Sequence, residues 1–387
     1  MKEIFKKIAE NFGTPTYVYF EDILLNRAKM VKEVFENLNY LPTIAVKANN
    51  NPYLLSILKN IGFGADILGE GEFYAAKMAG IQPDNIVWNG NGKTQEQKEF
   101  MLNNKVKYIN VDSVEEFEYL WKKEEKLNLF LRVNPDIDAK THPYISTGLK
   151  KHKFGMTFEQ ASFLLEKHRE KISGFHIHIG SQITDVLPFK EALEKTCQLA
   201  EKYNIKKINI GGGWGIRYKD EKELDLSKLK KELMPFLEKF DLVISEIGRF
   251  IFAPAGFLLT KVLMVKKSEQ KTFIVTESGM NHLIRPALYG AHHEVEVLTD
   301  STLKGKADIV GPLCESGDFL AKDLEIVIPN MGDLLIIKNV GAYGFSMANN
   351  YNGTIKPSEV LVKKDGSLKL IRKAQTIEEL FSSCIFD

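Results

Sequence analysis

KKINIGGGWG, residues 206–215, carries a short apolar run of β-forming residues straight into three glycines. It is the seventh of eight such runs, and that count decides the fold. The others are TIAVKA (43–48), FGADIL (63–68), NIVWNG (85–90), KYINVD (107–112), NLFLRVN (128–134), SGFHIHIG (173–180) and LVISEIG (242–248). Between them lie stretches such as PYLLSILKNI (52–61), TQEQKEFMLNN (94–104), FEQASFLLEKHREK (158–171) and FKEALEKTCQLAEKY (189–203). Their apolar residues recur at helical spacing, the pattern of helices that each cover one face of a sheet. The strand runs are near-continuously apolar, as strands buried on both faces of a parallel sheet are.

Eight strand–helix units in about 215 residues predict a (β/α)8, TIM-type barrel. The rival is an open doubly wound sheet. Its first turn would carry G-x-G-x-x-G, where this chain has VKANNNP (46–52).

Beyond residue 258 the texture changes to short strands punctuated by turn residues. TKVLMVKK (260–267), KTFIVTES (271–278), ADIVGPL (307–313), EIVIP (325–329), DLLIIKNV (333–340) and EVLVKKDGSLKLIRK (359–373) read as an all-β module. The early run TPTYVYF (14–20) is a strand placed to join it. The expected division is a barrel over 22–258 and a β-barrel or sandwich domain from 1–21 and 259–387.

Composition bounds the partners. The chain has 387 residues, 44% of them hydrophobic, and a net charge of +1, so bulk electrostatics favour neither nucleic acid nor an anionic membrane. Three distant cysteines, Cys197, Cys314 and Cys384, without C-x-x-C or Cys/His spacing, argue against a disulfide framework or a structural metal. MKEIFKKIAENFG (1–13) is amphipathic and charged throughout, and no window has the ~18 apolar residues of a membrane span. A soluble, cytoplasmic protein is expected.

In such a barrel, chemistry sits at the C-terminal strand ends. Lys47, Asp66, Asn89 and Asn134 fall there, followed by His176, His178, Gly180, Ser181 and Gln182. Gly211, Gly212, Gly213 and Trp214 come next, and Glu246, Gly248 and Arg249 close the set. Singly, each has a structural reading, and convergence on one rim is what points to catalysis. The glycines offer unhindered backbone N–H groups for a phosphate, or else only a tight turn. A phosphate site, a buried lysine and an acid on one rim suggest pyridoxal 5'-phosphate, the lysine bonding its aldehyde and the acid its ring nitrogen.

Seven longer motifs, AVKANNN (45–51), HIHIGSQI (176–183), INIGGGWG (208–215), EIGR (246–249), MNHLIRPALYGAHH (280–293), GPLCESGD (311–318) and NVGAYGFSMANNYN (339–352), extend this reading. In them the chain resembles fold-type III, alanine-racemase-like pyridoxal-phosphate enzymes, specifically the diaminopimelate decarboxylase family. The resemblance implies that Lys47 forms the Schiff base, His178 stacks on the cofactor ring, and Ser181 lies beside the phosphate. Gly211, Gly212, Gly213 and the segment Glu246, Ile247, Gly248 and Arg249 match the phosphate-binding elements, with Asp66 also at the cofactor. Glu246 matches the acid on the pyridine nitrogen. Such an acid favours decarboxylation, whereas racemases of this fold carry an arginine there. Arg249, Arg285, Tyr289 and Glu315 match residues that hold the far end of the substrate, and Tyr343 touches substrate and phosphate. Cys314 matches the proton donor. Cys314 and Glu315 enter the neighbouring subunit's site in the family, which implies a homodimer with shared active sites.

The implied reaction converts meso-diaminopimelate to L-lysine and carbon dioxide, the last step of lysine biosynthesis. A guanidinium at Arg285 suits the far carboxylate that diaminopimelate has and ornithine lacks. The alternatives are a broader ornithine/lysine decarboxylase or racemase on the same fold, and a catalytically inactive binding relative. The former would place an acid where Ser278 stands, and the latter would lack the lysine or the thiol. Three departures stand out. Ile247 replaces the family's proline, Glu277 stands where aspartate is common, and His282 stands where an acid is common.

Overall fold

Local chemistry starts the helices where the periodicity placed them. Thr94 and Thr157 each accept from the backbone N–H three residues on, and Gln97 and Gln160 reach back to the cap N–H, closing two capping boxes. Asn51 caps the helix Pro52–Lys59, whose first residue is a proline that needs no donor. The helix Leu187–Lys202 buries Phe189, Ala192, Leu193, Thr196, Cys197 and Ala200, one face at three- and four-residue spacing. Each large apolar side chain so buried contributes ~1.5–3 kcal/mol.

The computed structural model describes residues 2–123, 126–137 and 153–385. A first strand, β1 (Thr16–Phe20), precedes eight parallel strands. These are β2 (Tyr40–Ala45), β3 (Gly64–Ile67), β4 (Ile86–Trp88), β5 (Tyr108–Val111), β6 (Asn128–Arg132), β7 (Ile172–His176), β8 (Lys207–Asn209) and β9 (Leu242–Ile247). Each pairs with the next and β9 pairs with β2, so the eight close into a barrel, as the sequence predicts. Val87, Phe130 and Ile244, from β4, β6 and β9, form a buried apolar cluster in it. Gly174 makes room for the Phe130 ring, since a Cβ there would stand 2.5 Å from that ring.

The remaining strands are β10 (Gly256–Lys267), β11 (Thr272–Thr276), β12 (Val295–Leu298), β13 (Lys304–Val310), β14 (Phe319–Val327), β15 (Leu334–Ile337), β16 (Ser358–Val362) and β17 (Leu368–Arg372). They join β1 in one mostly antiparallel sheet, ordered β14-β13-β11-β10-β1-β16-β17, with β15 on β10 and β12 on β15. The expectation that the early run joins the C-terminal strands holds. β1 is antiparallel to β10 and parallel to β16, with all five of its residues buried. The helix Lys2–Phe12 packs Phe5 and Ile8 against Val18, Phe20, Phe257 and Val360. The Phe5, Phe20 and Phe257 rings meet in tilted and edge-on pairs at 5.3–5.8 Å.

By contacts the chain forms two compact units. One comprises Arg27–Ile216 with Lys222–Phe250, the other Met1–Asn26 with Arg217–Glu221 and Ile251–Asp387. Among the described residues no helix is long and apolar enough to cross a membrane.

Candidate active site

At the C-terminal end of the barrel strands, polar side chains replace the apolar filling. Lys47 sits in the single turn Val46–Ala48 that follows β2, its Nζ 4.0 Å from Asp66 Oδ2. The expectation of a buried lysine is corrected here. The Lys47 side chain is half exposed, because it leaves the strand end at the open mouth, whereas Asp66 in β3 is 3% exposed.

Glu246 in β9 is the centre of the rim. Asn89, Asn110 and Asn209, on β4, β5 and β8 or just beyond them, each hydrogen-bond its Oε1. His176 Nε2 lies 3.4 Å from Oε2, near enough to act by charge. Burial alone would push the Glu246 carboxyl up, but the adjacent His176 and the amide donors hold it well below the usual carboxylate range. Asp66 goes the other way: burial, then repulsion from Glu246, push it up to about 8. Two acids on one rim are thereby driven apart, Glu246 to the anion and Asp66 to the acid form.

His178, beyond β7, accepts the Gly212 N–H at Nδ1 over 3.2 Å. Burial and the charges of Lys47 and Arg132 keep it well below the ordinary imidazole range, so its ring is neutral. Arg132, at the end of β6, pairs with Asp112 at 3.3 Å and directs positive charge toward Glu246. Asn134, the residue expected at that strand end, donates to Phe154 O at 3.4 Å.

The glycine turn admits no side chains. A Cβ on Gly211, Gly212 or Gly213 would stand 2.4, 2.0 or 2.3 Å from the backbone oxygens of Ile177, Glu246 and Gly180. Gly211 and Gly213 also adopt φ of +64° and +93°, which glycine reaches without strain. Arg249, buried just past β9, donates from Nη2 to Ser181 Oγ at 2.9 Å. Ile247 is buried in the last position of β9, paired with Ile44. Gly248 lets the chain pass Ala48, whose Cβ would be 2.7 Å from a side chain there.

This donor set suits pyridoxal 5'-phosphate. An accessible amine can take its aldehyde, a buried anion its protonated ring nitrogen, and a side-chain-free turn with a guanidinium and a hydroxyl its phosphate. Among the described residues no group of three or more His, Cys, Asp or Glu is placed to hold a metal ion.

The β-rich unit carries the other expected residues. Arg285 is 5% exposed, so its guanidinium is not part of a surface ion pair. Its Nη1 donates to Tyr218 Oη and His293 Nε2, each at 3.0 Å, and its guanidinium lies over the Tyr218 ring. Tyr289 ends the short helix Arg285–Tyr289 and is partly exposed, and Tyr343 turns with φ +58°. Cys314 and Glu315 are exposed on the loop between β13 and β14. Asp318 organises that loop. Its carboxylate accepts from Met280 N at 2.6 Å and Leu313 N at 2.8 Å, while Asn352 Oδ1 holds the Cys314 N–H at 2.9 Å. His282, an expected departure, is buried between the Ser278 hydroxyl and Ile355 O.

Sequence reasoning missed Asn110, Asn209, Tyr218, His293 and Asp318. For the first two a signal existed: asparagine is disfavoured inside strands, so one in a buried strand calls for a polar partner.

The comparisons with known proteins agree with this chemistry. The family model described as pyridoxal-dependent decarboxylase, pyridoxal binding domain, matches residues 22–253. A diaminopimelate decarboxylase of Aquifex aeolicus is 42% identical, covering 96% of this chain and 92% of that protein. One from Neisseria meningitidis serogroup B is 41% identical, covering 97% and 94%. The crystal structure of diaminopimelate decarboxylase from Helicobacter pylori complexed with L-lysine superposes with a TM-score of 0.93 at 36% identity, covering 98% of each chain.

Proposed function

Since the chain belongs to the diaminopimelate decarboxylases, pyridoxal-phosphate-dependent carboxy-lyases, we propose that it removes carbon dioxide from the D-configured centre of meso-diaminopimelate to leave L-lysine, the last step of lysine biosynthesis. The observation that carries the reading is the buried Glu246, with three amide donors on its Oε1, at the same barrel rim as Lys47 and the glycine turn.

The chemistry that bound pyridoxal phosphate supplies is delocalisation of the electron pair left when carbon dioxide departs. The protein's residues make that chemistry selective. Lys47 would hold the group by its aldehyde, through Nζ. Glu246, as an anion, keeps a proton on the ring nitrogen and so strengthens the sink. His178, with its ring neutral, would pack beside the ring of the group. The N–H groups of the Gly211–Gly213 turn, Ser181 and Arg249 take the phosphate, with Tyr343. Arg285 reads the far carboxylate, helped by Arg249 and Tyr289, and Glu315 takes the far ammonium. Cys314 delivers the one proton that the decarboxylated carbon needs. Cys314 and Glu315 do so in the partner subunit of a homodimer.

The test is direct. Holoenzyme with meso-diaminopimelate releases carbon dioxide and L-lysine in equal amounts, and Arg285→Ala impairs this far more than any turnover of ornithine. No carbon dioxide from the meso isomer, with brisk turnover of ornithine, would sink the specificity. Lys47→Ala abolishes the yellow colour of the purified protein, and Cys314→Ala keeps the colour but makes no lysine.

A further inference from the structure

Glu246 Oε1 accepts from Asn89 Nδ2 at 2.9 Å, Asn110 Nδ2 at 2.8 Å and Asn209 Nδ2 at 2.6 Å. One backbone group fixes the direction of all three amides. The Gly211 N–H can only donate, so Asn209 presents Oδ1 to it at 3.0 Å and turns its Nδ2 toward Glu246. Asn209 Nδ2 also lies 3.5 Å from Asn110 Oδ1, which leaves Asn110 Nδ2 to donate to Asn89 Oδ1 at 2.7 Å and to Glu246. With its oxygen so occupied, Asn89 uses Nδ2 to bridge Asp66 Oδ1 and Glu246 Oε1. All three amides and both acids are buried.

A proton on Oε1 would meet three N–H groups, whereas Asp66 accepts one amide hydrogen bond, from Asn89, among the described residues, with Lys47 Nζ 4.0 Å from its other oxygen. We propose that Asn89, Asn110 and Asn209 are positioning residues: wired to the Gly211 amide, they hold Glu246 as a permanent anion and leave the exchangeable proton of the rim to Asp66. The other charged or titratable groups facing the two acids are Lys47, Glu72, His176, His178 and the Arg132–Asp112 pair. The inference rests on the reading of Glu246 as the acid at the ring nitrogen.

Asn110→Asp keeps the size of the side chain but turns a donor into a second acid. Infrared spectra of the apoprotein then show, beside the Asp66 acid already present in the wild type, a second protonated carboxyl at neutral pH, and Glu246→Gln in the same background removes it. In the holoenzyme the acid limb of the kcat profile moves up by about one to two pH units, the effect of losing a hydrogen bond to a charged group. Turnover falls by about 10²-fold, as on removal of one preorganised donor. Asn209→Ala removes a donor without adding an acid and shifts the limb the same way, so the test does not depend on tolerance of an extra buried charge. Asparagine variants that lose thermal stability but show neither the band nor the shift overturn the inference, since that is what a purely structural role gives. If Glu246→Gln leaves both the cofactor spectrum and turnover unchanged, the reading of Glu246 falls and this inference with it. A damaging Glu246→Gln beside silent asparagine variants sinks this inference alone.

Discussion

Arg285 and His293 form a donor–acceptor pair whose sense is fixed from both ends. Arg285 Nη1 donates to His293 Nε2 at 3.0 Å, and His293 Nδ1 lies 2.9 Å from Lys338 O, which can only accept. The network therefore assigns the proton to Nδ1 and leaves a neutral ring. With Tyr218 Oη on the same guanidinium nitrogen, one corner of the fork is anchored by two neutral acceptors.

His293→Leu and Tyr218→Phe each free that corner. The expected result is a rise of about tenfold in KM for meso-diaminopimelate, equivalent to ~1.4 kcal/mol, with kcat little changed. A fall in kcat at constant KM would show that the pair serves something other than the hold on Arg285.

Asp66 makes the apoprotein less stable as the pH rises. Folded, it keeps its proton up to about pH 8, whereas its ordinary value is 3.8, so between these values the folded state binds more protons than the unfolded. Unfolding free energy then declines across that window. Asp66→Asn cannot ionise, so its melting temperature should exceed that of wild type by little near pH 4 and by much more near pH 8. An equal gap at both values would mean that Asp66 is ionised throughout.

The three thiols should differ in reactivity. Burial pushes Cys197 up to about 12, whereas Cys314 and Cys384 are exposed. A disulfide reagent should label native wild type at Cys314 and Cys384, and Cys197 only after denaturation. L-Lysine should slow labelling of Cys314 alone, and equal rates with and without it would count against that thiol meeting the substrate.

Gly212→Ala places a methyl group 2.0 Å from Glu246 O. Forcing it in costs ~1–3 kcal/mol and displaces the turn, so the variant should lose its cofactor on dialysis. Full retention of colour would place the phosphate elsewhere.

The barrel was legible because eight strands buried on both faces leave eight apolar runs. The ends were less so. KKINIGG (206–212) reads as a strand, yet β8 stops at Asn209, whose side chain takes the Gly211 N–H that a longer strand would give to the ladder. β12 escaped notice because HEVEVL (293–298) alternates glutamate with valine and pairs with β15. Lys47 was expected to be buried because motifs carry residue type and order but not the openness of a strand end. The clamp on Glu246 escaped because its members, Asn89, Asn110 and Asn209, are far apart in sequence and meet only when the barrel closes.

The position of β1 in its sheet has a consequence for synthesis. Thr16 meets Ser358 across 342 residues, an interval the ribosome covers in about 20 to 70 s. Through that time TYVYF, all of it destined for burial, lacks one of its two neighbours in the sheet. The barrel's strands are all translated before then. The nascent chain thus carries an unmatched, sticky strand at its leading end, the feature that holding chaperones recognise, and its last hundred residues set when it becomes safe from aggregation.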